Sequence, residues 1–407
     1  MTLTSLAPME ENSLGIEAIR AREAAHFLPV VKRLPVALVE GRGARVRDSE
    51  GREYVDLTAG WGVTAIGHSH PALVEAIASQ AGRLMQTTNL FYTLPQLDLV
   101  ERLAEITPTA LTHSFILNSG TEAVEGALKL AHRATGRAKF VSTKNSFHGR
   151  TLGALRVIGQ DKHRAPYQAL LPEMSLIPFD DLEAAERAID QETAAFIVEP
   201  IQGEGGVNVP RNGYLSGLRK ICDARGALLI LDEIQTGIGR TGRMLALEHE
   251  GVVPDVLTLG KGLGGGFPVA AFVTSERVAR TVVLGDHGGT YVGNPLACAA
   301  ANAVLRVVNE EKLSERAAEL GARVLERLGK FVSDRPDRAE TARGRGLLLG
   351  LLLRDSTRAE KLPLRALEQG ILINVTAGRV LRLFPALNIP EEDLWTALES
   401  VLNLIKD

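Results

Sequence analysis

The sequence predicts an α/β protein with a large domain and a smaller α+β domain. The large domain is expected to hold a mostly parallel sheet with helices on both faces. Three observations carry this expectation. From about Pro71 to Leu305, helical patterns alternate with short apolar runs. Several of those runs end abruptly in charged or glycine-rich segments. After about residue 306 the alternation gives way to a long helix and further short strands. A chain of 407 residues is also long for a single core. The expected limits are 1–59 for an N-terminal segment of the small domain, 60–305 for the large domain and 306–407 for the rest.

Element by element, residues 1–30 read as helix-like and polar, with a loose first dozen. Strand candidates follow at Val36–Leu38, at Ala44–Val46 and, across a turn at Asp48–Gly51, at Tyr54–Leu57. The clearest large-domain strands are Ser114–Leu117, Lys139–Ser142, Ala194–Val198, Leu228–Leu231, Val256–Leu259 and Ala270–Val273. Their short apolar runs suit strands buried on both faces. A helix is expected over Glu122–His132. The C-terminal part reads as a helix from Leu313 to Val332, a polar loop at Asp334–Arg345 and strands at Leu347–Leu353, Ile371–Asn374 and Val380–Phe384. A helix over Glu391–Leu404 closes it.

Composition narrows the function. The formal net charge is −3 and no strongly basic segment stands out, so neither nucleic acid nor an anionic membrane is an expected partner. Cys222 and Cys298 lie far apart without metal-ligand spacing and read as buried thiols. The most apolar run, Gly346–Leu353, falls well short of the roughly 20 residues that span a bilayer. The start of the chain lacks a basic region followed by an apolar run, so a soluble, cytoplasmic protein is expected. Gly67-His-Ser-His-Pro71 offers two histidines but no third ligand nearby; a helix entry at Pro71 is expected there, not a metal.

The chemistry lies at the strand ends. Leu228–Leu231 runs into Asp232-Glu233, and Val256–Leu259 into Gly260-Lys261 and more glycines. A buried carboxylate and a buried amine each need a partner. A cofactor with a basic ring nitrogen and an aldehyde satisfies both, and pyridoxal 5′-phosphate is such a cofactor. Asp232 would keep the ring nitrogen protonated, while Lys261 would hold the aldehyde as a Schiff base and then shuttle a proton. The plainer alternatives are a capping carboxylate and a solvated loop lysine; the pairing of both residues with strand ends favours the cofactor.

Other segments join this picture. Ser119, Gly120 and Thr121 sit where a strand hands over to a helix, which makes either a phosphate site or an ordinary cap. Gln235, one helical turn beyond Asp232, can donate to the cofactor's phenolic oxygen. Phe147 can stack on a flat ring and Arg150 can clamp a carboxylate; a core phenylalanine and a surface ion pair are the alternatives. Glu204 lies in a glycine-rich loop that can reach into a cleft. His287–Pro295 is a second turn-rich, hydroxyl-bearing loop. All these groups fall where ligands bind in open α/β sheets.

With these residues in place, the chain resembles the class III pyridoxal-phosphate-dependent aminotransferases of fold type I, from about Pro35 to Leu404. The most specific segment is Leu231-Asp-Glu-Ile-Gln-Thr-Gly-Ile-Gly-Arg-Thr-Gly242, followed by Gly260-Lys261. Asn118–Ala123, Phe147–Ala154, Gln202–Gly206, Thr290–Ala301 and Leu381–Pro385 support it, and the acetylornithine aminotransferases are the most similar group. The resemblance implies roles. Lys261 would be the Schiff-base lysine and Asp232 the partner of the pyridine nitrogen. Ser119, Gly120, Thr121, Phe147, His148 and Gln235 would bind the cofactor, and Thr290 would reach the phosphate held by the other subunit of a homodimer. Arg150 would bind the donor's α-carboxylate. Glu204 would cover Arg382 for a donor whose reacting amine is remote from its carboxylate, and release it for 2-oxoglutarate. Val31, Val124 and Val292 depart from a frequent tyrosine, asparagine and glycine, respectively.

The implied reaction moves the terminal amine of N-acetylornithine, or a similar N-blocked ω-amino acid, to 2-oxoglutarate. The products would be the semialdehyde and glutamate, a step suited to arginine biosynthesis. Rival donors are unblocked ornithine, 4-aminobutyrate and carrier-linked aminoadipate derivatives. A pyridoxal-phosphate racemase or aminomutase is a rival of another class. It needs no keto-acid acceptor, so Arg382 with Glu204 speaks against it. Retention of Lys261 and Asp232 speaks against a non-catalytic protein on the same scaffold.

Overall fold

The computed structural model describes residues 15–406 of the chain. The first dozen residues, expected to be loose, lie outside the described part. After a helix at Ile16–Ala24 come β1 (Leu38–Arg42), β2 (Arg45–Asp48) and β3 (Glu53–Asp56). The large sheet takes β4 (Leu111–Leu117), β5 (Lys139–Thr143), β6 (Ser175–Ile177), β7 (Thr193–Val198), β8 (Leu228–Asp232), β9 (Val256–Leu259) and β10 (Ala270–Ser275). The C-terminal strands are β11 (Ala339–Arg345), β12 (Leu348–Leu353), β13 (Ile371–Leu372), β14 (Asn374–Thr376) and β15 (Val380–Leu383).

The large sheet has the order β4-β10-β9-β8-β7-β5-β6. All pairings are parallel except those of β10, which runs antiparallel to both β4 and β9. Every residue of β7, β8 and β9 is buried. Successive side chains of a strand point to opposite faces, and two cores result. Ala195, Ile197, Leu228 and Ile230 enter one, while Phe196, Val198, Leu229 and Leu231 enter the other. That is why these strands read as continuous apolar runs.

Two smaller sheets flank it. One is antiparallel with the order β11-β12-β15-β14, and the other has the order β1-β2-β3-β13. The parallel pairing of β13 with β3 ties a C-terminal segment to the N-terminal strands.

Five expectations are corrected. The loop expected over Asp334–Arg345 contains strand β11 from Ala339 onward, at the edge of its sheet, where a polar strand is tolerated. The expected strand Ile371–Asn374 is two strands, because the chain leaves one sheet and enters another at Ile373. The strand expected at Val36–Leu38 begins at Leu38 and carries a register shift between Leu38 and Glu40. Strand β6 was not anticipated, since three residues are too few to show a period. Gln235 lies in a series of turns, not on a helix, and Ile238 at φ 57° interrupts any helical course. The Glu233 carboxylate accepts from Ala246 and Leu247 N–H at 2.6 and 2.7 Å and folds this segment back.

Pro71 opens a helix at Pro71–Ala81, whose first turn His70 caps at 3.3 Å. Cys222 and Cys298 are buried and unpaired, and burial pushes each thiol up to about 12. Among the described residues, no helix is long and apolar enough to cross a membrane.

Arg240 joins the large sheet's loops to the C-terminal part. It is almost wholly buried, and its guanidinium donates to Leu347 O at 3.0 Å and Pro385 O at 2.5 Å. Hydrogen bonds from a charged donor are each worth about 1.5–3 kcal/mol. Arg240→Ala is therefore expected to cost about 3 kcal/mol or more in urea unfolding, with a lowered midpoint.

Candidate active site

The parallel strands deliver their polar residues to one end of the sheet. Asp232 is the last residue of β8, Glu199 follows β7 directly, and Lys261 stands two residues beyond β9. Phe147 and His148 follow β5 after a short turn.

Asp232 is held from three sides. Its carboxylate meets His148 Nδ1 at 2.7 Å and accepts from Thr258 Oγ1 and the Ile234 N–H, both at 3.1 Å. His148 Nε2 in turn lies 3.4 Å from Ser142 Oγ. Both side chains of the His148–Asp232 pair are buried, so the carboxylate has a fixed direction and little water. His148 therefore acts on Asp232, a contact the sequence did not indicate.

Lys261 has φ 42°, a left-handed conformation uncommon for a lysine. Burial lowers its pKa; Glu204, Asp232 and Glu199 oppose that, and Arg382 reinforces it. A lowered pKa makes the free amine more available as nucleophile and base. Glu199, which the sequence reading left without a role, is fully enclosed. Burial and then Asp232 push its carboxyl well above the usual range, and its Oε2 accepts from Phe147 N–H at 3.4 Å. The signal was present, since Glu199 is a third charged residue at a strand end.

The phosphate segment divides. Ser119 is a helix cap: its Oγ accepts from Glu122 N–H at 3.4 Å and donates to Glu122 Oε2 at 3.0 Å. Gly120 and Thr121 are the first two residues of the helix Gly120–Thr135, whose leading N–H groups have no intrahelical acceptors. A Cβ on Gly120 would come within 2.9 Å of Ile234, and one on Gly149 within 2.3 Å of Thr121 Oγ1. Neither position has room for a side chain, so both glycines let their neighbours pack directly against the backbone. Phe147 is half-buried, packs on Leu155, Ile158 and Leu171, and makes an edge contact with His163 at 6.1 Å.

A further cluster carries an ion pair. Arg382 Nη1 meets Glu204 Oε1 at 2.7 Å and Gln235 Oε1 at 3.2 Å, and its Nε donates to Asn374 Oδ1 at 3.1 Å. Its side chain is wholly buried, and its Nη2 has no hydrogen-bond partner among the described residues. Burial lowers the Arg382 pKa against the opposing effect of Glu204. Burial would raise the Glu204 carboxyl, but Arg382 and Lys261 outweigh it and hold that carboxyl below its usual range. Gly203 fits here because a Cβ would fall 1.7 Å from Gln235 Oε1. Gln235 is thus engaged with the ion pair.

Arg150 is exposed and has no carboxylate partner among the described residues. Thr290 is exposed on its loop, its carbonyl accepting from Gln86, and the structure does not bring it to Asp232 or Lys261 of the same chain. Val124 and Val292 are buried in the core beside β10, whereas Val31 is exposed. Trp61, also missed, stands at φ 70° after Ala59 and Gly60, which share positive φ, and its ring centre lies 5.7 Å from the Arg382 guanidinium carbon. No periodicity in the sequence marks such a residue.

The enclosed carboxylate, the lysine amine that feels its charge and the open helix entry fit a protonated ring nitrogen, an aldehyde and a phosphate. Together with the sheet beneath them they define a pyridoxal-phosphate enzyme. The chain belongs to the class III aminotransferases, matching the family described as aminotransferase class-III over residues 28–405. It is 48% identical to an acetylornithine aminotransferase of Methanopyrus kandleri over 381 residues, covering 94% of this chain and 97% of that protein. Identity to the acetylornithine aminotransferase of Mycobacterium leprae is 44%, covering 91% of each. Among solved structures, the ornithine aminotransferase of Toxoplasma gondii ME49 superposes with a TM-score of 0.92 at 36% identity, covering 97% of this chain and 95% of that one. The acetylornithine aminotransferase of Elizabethkingia anophelis gives 0.85 at 36% identity, covering 97% and 99%. The protein is an aminotransferase, and its cofactor is pyridoxal 5′-phosphate.

Borohydride reduction of the yellow protein, followed by peptide mass mapping, is expected to place the cofactor on Lys261. A label on any other lysine would remove the roles given to Lys261 and Asp232.

Proposed function

We propose that this aminotransferase moves the terminal amine of N-acetylornithine, or a close N-blocked ω-amino acid, to 2-oxoglutarate. The products are the semialdehyde and glutamate, and arginine biosynthesis is the natural setting. The observation that carries the reading is the buried Arg382–Glu204 pair at 2.7 Å. A transaminase must admit two unlike substrates to one pocket, and a cation that can be covered or uncovered meets that need. The names of relatives at 48% and 44% identity support the donor.

When bound, pyridoxal phosphate supplies an electron-accepting ring that stabilises negative charge on the substrate carbon. The remaining work falls to the chain. Asp232, oriented by His148 and Thr258, holds a proton at the ring nitrogen. Gly120 and Thr121 bind the phosphate through their N–H groups, with Ser119 shaping the helix entry, and Phe147 covers the ring. Lys261 Nζ takes the proton from the carbon bearing the amine and returns it within the same pocket. Arg150, exposed and without a carboxylate partner among the described residues, clamps the donor's α-carboxylate. Glu204 covers Arg382 during this half. When Glu204 turns aside, Arg382 receives the distal carboxylate of 2-oxoglutarate through a two-pronged contact.

A homodimer belongs to the same reading. Leu90, Phe91, Tyr92 and Leu94 expose 65–106% of their surface, a run of large apolar side chains that a second copy would cover. Thr290, beside the exposed Tyr291, would then reach the partner's phosphate. The division into 1–59, 60–305 and 306–407 is supported by the pairing of β13 with β3. A cytoplasmic setting is supported by two buried, unpaired cysteines.

A donor panel at fixed 2-oxoglutarate tests the substrate. The highest kcat/KM is expected for acetylornithine; a clear preference for ornithine or 4-aminobutyrate would reject it. Arg150→Ala is expected to slow both half-reactions. Arg382→Ala is expected to lower kcat/KM about 100-fold or more for 2-oxoglutarate, the effect of removing one partner of a charged contact, while sparing the donor half.

A further inference from the structure

Arg382 and Glu204 are not held by each other alone. Strand β14 has only three residues, and its register with β15 sets Asn374 opposite Arg382 and Thr376 opposite Val380. Residues two apart on a strand share a face, so Asn374 and Thr376 both look toward the ion pair. Asn374 Oδ1 accepts from Arg382 Nε at 3.1 Å. Thr376 Oγ1 donates to the carbonyl of Glu204 at 2.7 Å. One short strand therefore grips the side chain of the arginine and the backbone of the glutamate.

The division of contacts on Arg382 matters. Nε is bonded to a neutral amide, Nη1 to Glu204 and Gln235, and Nη2 to nothing among the described residues. Phe384 lies under the guanidinium, with its ring centre 4.3 Å from the central carbon. The Nε end is thus fixed, and the Nη end is free to exchange one carboxylate for another. The amide at 374 suits this task, since a carboxylate there would compete with the incoming substrate. On the other side, Arg343 donates to Gly206 O at 2.8 and 3.2 Å, which fastens the loop a second time. The backbone around Glu204 is pinned at two points, while its carboxylate is bound chiefly by the group it must release.

We propose that Asn374 and Thr376 are positioning residues that make the exchange at Arg382 a rotation of the Glu204 side chain alone, with the arginine held ready by Asn374. The inference rests on the two-substrate reading of Arg382 and Glu204 given above. Asn374 serves the 2-oxoglutarate half, because it orients the cation that receives the distal carboxylate. Thr376 serves the donor half, because it keeps Glu204 over Arg382 while a donor without a distal carboxylate is bound.

The test measures each half-reaction of the holoenzyme separately by the absorbance of the cofactor. Asn374→Ala is expected to raise the 2-oxoglutarate concentration at half-maximal rate about tenfold, the low end for a hydrogen bond to a charged group. The donor half should stay within twofold. Asn374→Asp keeps an acceptor for Nε but adds a competing charge, so its loss in the 2-oxoglutarate half should exceed that of Asn374→Ala. Thr376→Val should show the reverse pattern, weakening the donor half about threefold and sparing the acceptor half. A purely structural role predicts equal losses in both halves for all three variants, and that outcome overturns the proposal. Arg382→Ala is run in parallel. If it slows only the 2-oxoglutarate half while Asn374→Ala slows neither, the inference alone fails. If it slows both halves equally, the two-substrate reading fails and this inference with it.

Discussion

The burial of Arg382 is the constraint from which much of this site follows. A wholly enclosed guanidinium is costly unless charge and hydrogen bonds compensate it. Here Glu204, Gln235, Asn374 and the face of Phe384 share that work. Those partners come from the loop after β7, the turns after β8, strand β14 and the residues after β15. No single one of the sheets could assemble them. The ion pair therefore also fixes how the C-terminal strands sit against the carboxyl ends of the large sheet. Its Nη2, buried and without a hydrogen-bond partner among the described residues, leaves the arrangement incomplete.

A second group of charges has a different character. Asp232 has fixed partners in His148 and Thr258, and Glu199 beside it is pushed toward its neutral form by burial and by Asp232. Lys261 responds to charges of both groups. In the proposed mechanism the cofactor end is thus rigid, while the substrate end keeps a contact that can be exchanged. This contrast matches the demands of a transaminase, in which one cofactor serves two substrates in turn. Close backbone approach supports the rigid end. At Gly120 and Gly149 a Cβ would collide with Ile234 and with Thr121.

The class of reaction and the identity of the donor rest on different grounds. Family membership covers residues 28–405 and fixes the cofactor and the chemistry. The solved neighbours include both ornithine and acetylornithine aminotransferases at similar identity, so likeness of fold does not separate those donors. The proposed donor draws instead on the sequence relatives and on the residues around Arg382. Trp61, held at positive φ beside the guanidinium, belongs to that neighbourhood.

Much of the large domain was legible in the sequence. Burial on both faces demands continuous apolar runs, and helices between parallel strands impose a recognisable alternation. The strand-end residues Asp232 and Lys261 were legible for the same reason, because a charge closing an apolar run is conspicuous. The edge strand β11 was not, since a half-buried strand at the edge of a sheet permits the polar sequence of a loop. Nor was the split at Ile373, because which sheet a short segment joins depends on partners distant in the chain. By itself, then, the sequence determined the α/β sheet, the class of cofactor and the placing of Asp232 and Lys261 at strand ends. Only the tertiary structure decided that His148 orients Asp232, that Ser119 is a cap and that Asn374 stands opposite Arg382. Those relations are set by register and by packing between sheets, which local sequence does not encode.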